Sequence, residues 1–274
     1  MNLSQSLQAA SLTDPGRVRD HNEDCIESRP ETGIYVLADG MGGYNAGEVA
    51  SGMATSLITD GLHEAWNPRA VERLGREEAK TLAERLIKEQ IARANSAIFT
   101  TSQNNPECAG MGTTLVMCLF YDNFVAVAHI GDSRLYRLRG DVMEQVTRDH
   151  SLLQEQLDSG LITPEEAKLS QNKNLVTRAL GIDPTVDAEI HVHEAQPEDL
   201  YLLCSDGLSD MVEDDEIRLT LLTLKSNPTL TVQQLVQAAN DNGGRDNISA
   251  MLIRVAEPYG VARGWLARVK AFFR

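Results

Sequence analysis

Short apolar runs rich in β-branched residues recur along this chain, and they restrict its fold more than any other sequence feature. Each run is bounded by turn-forming residues and is too short for a buried helix, so we predict β-strands. The runs occupy 33–39, 113–120, 123–130, 133–139, 199–205 and 247–255. The dipeptides Asp122-Asn123 and Gly140-Asp141 separate strand-like runs by hairpin lengths. Much of the sheet structure is therefore predicted to be antiparallel.

Helical patterns occur in pairs between the clusters of predicted strands. The longest carries apolar side chains at close to 3.6-residue spacing, namely Leu82, Leu86, Ile91, Ala94 and Ile98. The predicted helices span 46–65, 76–101, 213–224 and 231–240. This order of elements indicates an α+β fold in which helices cover sheets that pack on each other.

Charge and composition exclude several classes of function. The 274 residues include 40 Asp and Glu against 25 Lys and Arg, and the net charge of −15 disfavours binding to nucleic acid. No apolar stretch approaches the roughly 20 residues that cross a bilayer, and the first ten residues lack the basic region of a secretory signal. The 4 cysteines form no C-x-x-C pair, which favours buried, reduced thiols. We therefore expect a cytoplasmic protein that binds no nucleic acid.

Several familiar catalytic patterns are missing from the sequence. A cysteine phosphatase carries an arginine six positions after its nucleophile, but these positions hold Glu31, Thr114, Phe124 and Asp210. The chain also lacks the nucleophile elbow G-x-S-x-G, the phosphate-binding loop G-x-x-x-x-G-K-[ST] and the zinc-binding pattern H-E-x-x-H. These chemistries are excluded in their usual forms.

Acidic residues stand repeatedly at the ends of the predicted strands. Asp39, Asp132 and Asp206 end apolar runs, and Asp246 introduces the last one. Each aspartate alone is well explained as a turn residue. Together, beside apolar walls where an isolated charge is costly, they favour a divalent cation as counter-ion. Oxygen ligands with few histidines favour Mg²⁺ or Mn²⁺, and two such ions can lower the pKa of a bridging water. The sequence does not give strand order, so convergence of the four acids is a hypothesis.

Eight short motifs follow one another across nearly the whole chain. They are RVRDHNEDC (17–25), VLADGMGG (36–43), GMGTTLV (110–116), IGDSRLYRLR (130–139), VTRDHS (146–151), LVTRALG (175–181), LLCSDGLSDMV (202–212) and GGRDNIS (243–249). In this order they resemble the motifs of the metal-dependent protein serine/threonine phosphatases, the PP2C-like family in its bacterial form. The resemblance implies a four-layer αββα sandwich, with two central, mostly antiparallel sheets flanked by helix pairs.

The resemblance also implies a centre that binds two Mn²⁺ or Mg²⁺ ions. Asp39 would bridge both ions, the carbonyl oxygen of Gly40 would bind one, and Asp206 and Asp246 would bind the other. In bacterial members a third, weaker ion is bound by the aspartate that matches Asp132, with help from the Asp206 position. Asn247 would support these ligands.

Three further residues would serve catalysis if the resemblance holds. Glu23 would hold metal-bound water, Asp24 would orient that water, and Arg19 would clamp the substrate phosphate. From its residue type alone, Arg19 is equally well explained by a surface ion pair with Asp20 or Asp24. The implied reaction is direct attack of metal-bound hydroxide on phosphoserine or phosphothreonine, without a phosphoenzyme.

The source of the proton for the leaving alkoxide stays open. Met41 stands where animal members carry a histidine proposed as the general acid. Metal-bound water and His150 are the alternatives, although a lone histidine is more often a structural hydrogen-bonding residue. His191 and His193 alternate on one face of a strand and are predicted to be exposed, without acidic partners.

The sequence divides into a phosphatase domain, residues 1–257, and a basic amphipathic tail, residues 258–274. Within the domain, residues 149–183 form a polar, strandless insertion that resembles the family's flap beside the cleft. The last twelve residues, 263–274, hold four bases and no acid. As a helix they would present an apolar face and a basic face, either against the acidic body or against an anionic membrane surface or a protein partner.

The expected function is hydrolysis of phosphoserine and phosphothreonine in proteins, opposing a bacterial Ser/Thr kinase, by a monomer. One alternative is a catalytically silent scaffold that binds phosphoproteins on the same fold. Loss of activity normally erodes the metal ligands, but Asp39, Asp206 and Asp246 are all present. A two-metal nuclease is disfavoured by the acidic charge and the lack of a basic track.

Overall fold

Two antiparallel sheets lie at the centre of the computed structural model, which describes residues 3–43, 46–163, 166–167 and 175–261. Sheet 1 has the strand order β2-β3-β5-β6-β9, with the short β4 paired to β3, and sheet 2 has the order β1-β11-β10-β7-β8. The strands are β1 Leu7–Asp14, β2 Asp24–Arg29, β3 Ile34–Met41, β4 Gly112–Thr113, β5 Leu115–Tyr121, β6 Phe124–Ile130, β7 Arg134–Arg139, β8 Val142–Gln145, β9 Glu189–Glu194, β10 Leu200–Cys204 and β11 Ile248–Val255.

Helices cover the outer face of each sheet. The α-helices in the described residues are α1 Ala46–Ala65, α2 Pro68–Val71, α3 Arg76–Asn104, α4 Leu152–Asp158, α5 Asp206–Ser209, α6 Asp214–Leu224 and α7 Pro228–Asp241. Helices α1 and α3 pack on sheet 1, and α6 and α7 pack on sheet 2. The predicted α+β fold with four αββα layers is confirmed. In the described residues no helix combines the length and the apolar character that a membrane span requires.

The central strands are apolar throughout because they are buried on both faces. In β3, Ile34, Val36 and Ala38 pack under the helices, whereas Tyr35 and Leu37 face the other sheet. A strand alternates its side chains between its two faces, so burial of both faces removes the usual alternation of polar and apolar residues. This arrangement explains why the sequence pattern located these strands so well.

The hairpin between β5 and β6 turns at the predicted dipeptide. Asp122 and Asn123 have positive φ angles of 48° and 60°, as the tight turns of β-hairpins require. The pairing brings Leu115 opposite Ile130, so the start of β5 and the end of β6 lie at the same edge of sheet 1. The connection from β6 to β7 then carries the chain from sheet 1 to sheet 2 at this edge.

The segment 149–183 contains one described helix, α4, and isolated bridges. The bridges pair Ser151 with Val176 and Thr113 with Leu180. The first bridge joins the start of the segment to its return, and the second attaches the return to the sandwich. No regular strand forms in the described residues of the segment, in agreement with the prediction.

The first residues of the predicted tail belong to the packed body. Tyr259 is 0% exposed, its amide donates to Asn123 Oδ1 at 2.7 Å, and its hydroxyl donates to Phe124 O at 3.0 Å. The amide of Val261 donates to Asp122 Oδ1 at 2.6 Å. The body therefore extends at least to Val261, beyond the predicted boundary at 257. The basic amphipathic segment 263–274 lies outside the described residues.

Candidate active site

The predicted acidic residues meet at one end of the two sheets. Asp24 at the start of β2 pairs in register with Asp39 near the end of β3. Asp206 begins α5 directly after β10, and Asp246 lies two residues before β11, at the end of sheet 2 where β10 and β11 pair antiparallel. Asp132 lies in the connection between the sheets. Asp206, after β10, and Asp246, before the antiparallel β11, therefore lie at the same end of sheet 2.

The acids are close enough to raise one another's pKa values. Burial, followed by the charges of Asp24, Asp206, Asp132 and Asp246, raises the pKa of Asp39 well above its usual value. Burial raises the pKa of Asp24 to about 7 and that of Asp132 to about 6. The pKa of Asp206 is also raised well above its usual value, by burial and by its acidic neighbours. A bound cation would offset the repulsion among these carboxylates.

Two threonines fix the backbone at Asp39. Thr113 Oγ1 and the Thr114 amide both donate to Asp39 O at 2.8 Å, and the Asp39 amide donates to Thr114 Oγ1 at 3.0 Å. Thr114 Oγ1 also lies 2.7 Å from Ser133 Oγ, next to Asp132. These hydroxyls connect the Asp39 strand to the Asp132 connection.

Asp24 is held across the gap between the two sheets. Ser205 Oγ donates to Asp24 Oδ2 at 2.8 Å and accepts from the Ser249 amide at 3.0 Å. Asp24 belongs to sheet 1, whereas Ser205 and Ser249 lie at or in strands of sheet 2. These serines, like Thr113, Thr114 and Ser133, have no role predicted from the sequence, although all of them lie within the eight motifs.

A pair of glycines makes room for Glu23. The Gly40 amide donates to Glu23 O at 3.1 Å. A Cβ at Gly40 would collide with the backbone of Gly47, and a Cβ at Gly47 would lie 2.7 Å from Glu23 Oε1. Only glycine at both positions lets the start of α1 approach the strand end so closely.

Asn247 ties the amino-terminal loop to the acidic cluster. Its Oδ1 accepts from the Glu23 amide at 2.8 Å, and its Nδ2 donates to Pro15 O at 3.1 Å and His21 O at 2.8 Å. The Asn247 amide donates to Asp246 Oδ1 at 2.9 Å. The side chain thus supports Glu23, and the backbone supports Asp246.

Arg19 lies beside the cluster and pairs with a different acid from those the sequence suggested. Its NH2 donates to Asp246 Oδ2 at 2.8 Å, and its side chain is 54% exposed. This hydrogen bond is the main cause of the raised pKa of Arg19. A positive group with free surface therefore stands at the edge of the acidic site, where an anion can reach it.

A cleft of about 840 Å³ opens beside the acidic cluster. Its walls include Asp206, Asp246, Arg134 and Asp149, with Leu153 and Leu157 of α4 from the segment 149–183. The volume is within the usual range of ligand sites. The segment therefore forms part of the wall of the cleft.

The donor set fits a hard divalent cation. Within the described part of the chain, Asp206 Oδ1 and Glu23 Oε1 are buried without a hydrogen-bond partner. An unpaired buried carboxylate oxygen is costly, and a cation relieves that cost. The predicted ligands are carboxylates and a backbone carbonyl, which suit Mg²⁺ and Mn²⁺. The residues present therefore fit the expected ions.

The histidines are placed differently from one another. His150 is 6% exposed and both of its ring nitrogens have partners inside the protein, which favours the structural interpretation over a general acid. His191 is exposed as predicted, but its Nε2 lies 3.7 Å from Glu189 Oε2, so the expectation that it lacks an acidic partner is wrong. His193 is only half-exposed.

Comparison with known proteins identifies the family. The family model described as Protein phosphatase 2C matches residues 17–252, which is most of the chain. The chain belongs to the protein phosphatase 2C (PP2C) family. The matched range includes each acid of the site described above.

Serine/threonine phosphatases from bacteria are similar to this chain over 90% or more of its length. The chain is 40% identical to the serine/threonine phosphatase stp of Listeria innocua, covering 90% of this chain and 95% of that protein. A crystal structure of the Mycobacterium tuberculosis serine/threonine phosphatase PstP is 35% identical, with a TM-score of 0.81 and coverage of 92% and 99%. A structure of the PstP catalytic domain with two manganese ions is 34% identical, with a TM-score of 0.78 and coverage of 92% and 99%.

Proposed function

We propose that this PP2C chain is a metal-dependent phosphoprotein phosphatase that hydrolyses phosphoserine and phosphothreonine. The observation that carries the proposal is the meeting of five carboxylates at the ends of both sheets, with buried oxygens that have no protein partner among the described residues. Two of the five, Asp206 and Asp246, line the cleft. The named serine/threonine phosphatases to which the chain is similar support the same activity. Nothing observed favours the catalytically silent scaffold.

We assign the ion ligands as the motifs indicate. Asp39, the carbonyl oxygen of Gly40, Asp206 and Asp246 would hold two Mn²⁺ or Mg²⁺ ions, and Asp132 with Asp206 would hold a weaker third ion. When bound, such ions activate water as a nucleophile and neutralise phosphate charge. The hydrogen bonds from Thr113 and Thr114 to Asp39 O fix the backbone that carries the Asp39 carboxylate.

The remaining residues handle water and substrate. Glu23 Oε1 and the carboxylate of Asp24 are acceptors that orient water within the acidic cluster. Arg19 binds the substrate phosphate with the face of its guanidinium fork that Asp246 does not occupy. The negative wall of the cleft, with Asp149 and Asp210 among its residues, then contacts the peptide around the phosphorylated residue.

The proposal is tested by Mn²⁺-dependent release of phosphate from a phosphothreonine peptide. We expect activity that a chelator removes and that Asp206→Ala abolishes, with much slower release from a matched phosphotyrosine peptide. Release that persists with chelator, or that is unchanged in Asp206→Ala, would contradict the assignment.

We further propose that the enzyme acts as a monomer in the cytoplasm and reverses a Ser/Thr kinase. All four cysteines are free, as is usual for proteins of the reducing cytosol. Depletion of the protein should raise phosphothreonine in cytoplasmic proteins, and light scattering should give the mass of one chain. An unchanged phosphoproteome would contradict the kinase relationship.

The basic residues 263–274 are proposed to dock the enzyme on an anionic membrane surface. Four bases and five large apolar side chains in twelve residues provide both attractions that such docking needs. Co-sedimentation with vesicles that contain anionic lipid should be stronger for the full chain than for residues 1–261. Equal binding, or none, would contradict docking to a membrane and leave packing on the body or a protein partner as the explanation.

A further inference from the structure

The connection that carries Asp132 is held by one histidine. The Gly131 amide donates to His150 Nδ1 at 3.2 Å, and the His150 amide donates back to Gly131 O at 2.9 Å. Gly131 has a φ of +97°, and a Cβ there would lie 2.7 Å from Thr114 Cγ2. The residue before Asp132 is therefore enclosed between Thr114 on one side and His150 on the other.

The bonding partners determine which tautomer of His150 is present. Because an amide can only donate, Nδ1 accepts and the ring proton is on Nε2. That proton is donated to Glu189 Oε1, 3.2 Å away on β9. The ring is also stacked on His129, with centroids 4.8 Å apart and an interplanar angle of 22°. Glu189 thus fixes the tautomer that leaves Nδ1 available for Gly131.

His150 also joins both ends of the segment 149–183. Its carbonyl oxygen accepts from the Thr177 amide at 2.8 Å. The next residue, Ser151, forms a bridge with Val176, and the Leu152 amide donates to Leu175 O at 2.9 Å. One residue therefore contacts the Asp132 connection, the start of the segment and its return.

The histidines are unsuited to sharing a metal ion, although His129, His150 and Glu189 offer ligand atoms within 4.8 Å of one another. A metal lies close to the plane of a histidine that binds it. Stacked rings direct their lone pairs side by side, so they do not converge on one point. Both nitrogens of His150 are in addition already used.

We infer that His150 is a positioning residue for Asp132, which it orients through its paired hydrogen bonds with Gly131. The described ends of the segment 149–183 meet at this same residue. The inference rests on the proposed function, because Asp132 is taken to bind an ion. It assigns the lone histidine of the motif VTRDHS to a task in place of general acid catalysis.

Three variants distinguish the loss of the hydrogen bond to Gly131 from a change in side-chain size at position 150. In His150→Asn the amide oxygen takes the place of Nδ1 and can accept from Gly131, whereas His150→Leu keeps the size and removes the acceptor. His191→Leu is the matched control, because His191 contacts the same Glu189 and makes no hydrogen bond to Gly131. If His150→Leu is too unstable to assay, Glu189→Ala tests the same link by removing the Nε2 partner.

We expect His150→Leu to raise the Mn²⁺ concentration for half-maximal activity by about 10-fold or more, as loss of a residue supporting a metal ligand commonly does. KM for the phosphopeptide should change less than about twofold. His150→Asn should recover most of the loss, His191→Leu should behave as wild type, and Glu189→Ala should shift in the direction of His150→Leu. In an Asp132→Asn background, His150→Leu should add little, since the two act through one ligand.

A second readout needs neither metal nor activity. Hydrogen exchange of the Gly131 amide in the metal-free protein should be slow in wild type and His150→Asn and fast in His150→Leu. The inference is overturned if His150→Leu matches His191→Leu, if His150→Asn is no better than His150→Leu, or if the effects of His150→Leu and Asp132→Asn add. Lack of activity in the wild type would instead refute the proposed function, and the exchange measurement would still test the bond to Gly131.

Discussion

Asp39 has the most demanding environment of any residue in the site. Hydrogen bonds from Thr113 and to Thr114 fix its backbone. The residue is therefore held beside the other acids. Burial and four neighbouring aspartates together raise its pKa well above the usual value. The order of the β-strands brings these acids together, but nothing in the sequence around Asp39 reveals which acids lie next to it. The sequence could predict which acids were candidates, and the spatial cluster required the structure.

Removal of an ion ligand should affect turnover far more than the fold. Asp39→Ala and Asp206→Ala should each lower kcat by at least about 10²-fold, because several kcal/mol of electrostatic stabilisation is lost and about 1.4 kcal/mol corresponds to tenfold. Steady-state kinetics with saturating Mn²⁺ and circular dichroism check both parts. An Asp39→Ala enzyme with unchanged kcat would remove Asp39 from the site.

Arg19 should contribute to substrate binding more than to turnover. Its exposed guanidinium can form charge-assisted hydrogen bonds worth roughly 1.5–3 kcal/mol, so Arg19→Ala should raise KM for a phosphopeptide by about 10-fold or more. kcat should fall much less. Arg17→Ala serves as the control, because Arg17 is a nearby base to which no catalytic role is assigned. A fall in kcat alone would argue for a different role of Arg19.

The raised pKa values also predict how pH acts on the metal-free protein. Asp24 and Asp132 have pKa values of about 7 and about 6 in the folded state, above the ordinary value of 3.8. The folded state therefore binds more protons than the unfolded state, and its stability falls as pH rises from about 4 through 7. Mn²⁺ replaces those protons, so its stabilising effect should grow over the same range.

Thermal unfolding at several pH values, with and without Mn²⁺, measures this linkage. Tm of the metal-free protein should fall from about pH 5 to about pH 8, and the increase in Tm on adding Mn²⁺ should become larger. Asp24→Asn, which can still accept from Ser205, should flatten the metal-free profile. A metal-free Tm that rises with pH would show that these carboxyls are ionised in the folded protein.

At the scale of elements, the approach of α1 to β3 shapes the site. Gly40 and Gly47 have no room for a side chain, whereas Gly43, three residues after Gly40, has open space where a Cβ would stand, with no other atom within 4 Å. Gly40→Ala should therefore lower the free energy of unfolding by about 3 kcal/mol through overpacking and weaken Mn²⁺ binding.

Gly43→Ala is the matched control and should stay within about 0.5 kcal/mol of wild type. Denaturant unfolding gives both values, and calorimetry gives the Mn²⁺ affinity. Equal stability of the two variants would mean that α1 can move away from β3 at little cost.

The elements that the sequence predicted best are those buried on both faces. Strands β3, β5, β6, β7, β10 and β11 coincide with the six apolar runs to within about two residues, and α1 has the predicted bounds. Strands β1, β2 and β9 were not among these runs. They lie at the edges of the sheets, where β1 and β9 are mostly half-buried or exposed and carry polar residues on one face. Pairing partners, and not local composition, place them in the sheets.

For the whole molecule, Tyr259 completes the core between the two sheets. Its ring packs against Phe120 with centroids 6.2 Å apart, and it is fully buried. A chain ending at residue 257 should lose about 3–5 kcal/mol of stability, the usual cost of removing a buried aromatic side chain, and its Tm should fall by roughly 10 °C. A chain ending at residue 261 should keep the wild-type Tm.

Differential scanning fluorimetry of the two truncated chains tests this boundary. Tyr259→Ala in the full chain separates loss of the ring from loss of the residues beyond it, and its Tm should match that of the shorter chain. If the chain ending at 257 is as stable as that ending at 261, Tyr259 adds nothing to the core.

The hydrogen bond from Ser205 to Asp24 crosses from one sheet to the other, and the proposed ion ligands come from the ends of the same two sheets. Cation affinity therefore depends on how closely the sheets are stacked, even at a distance from the catalytic end. A small molecule that bound between the two sheets and separated them would inhibit the enzyme without competing with substrate for the charged cleft. Such an inhibitor could be apolar, and it would not need to resemble phosphate.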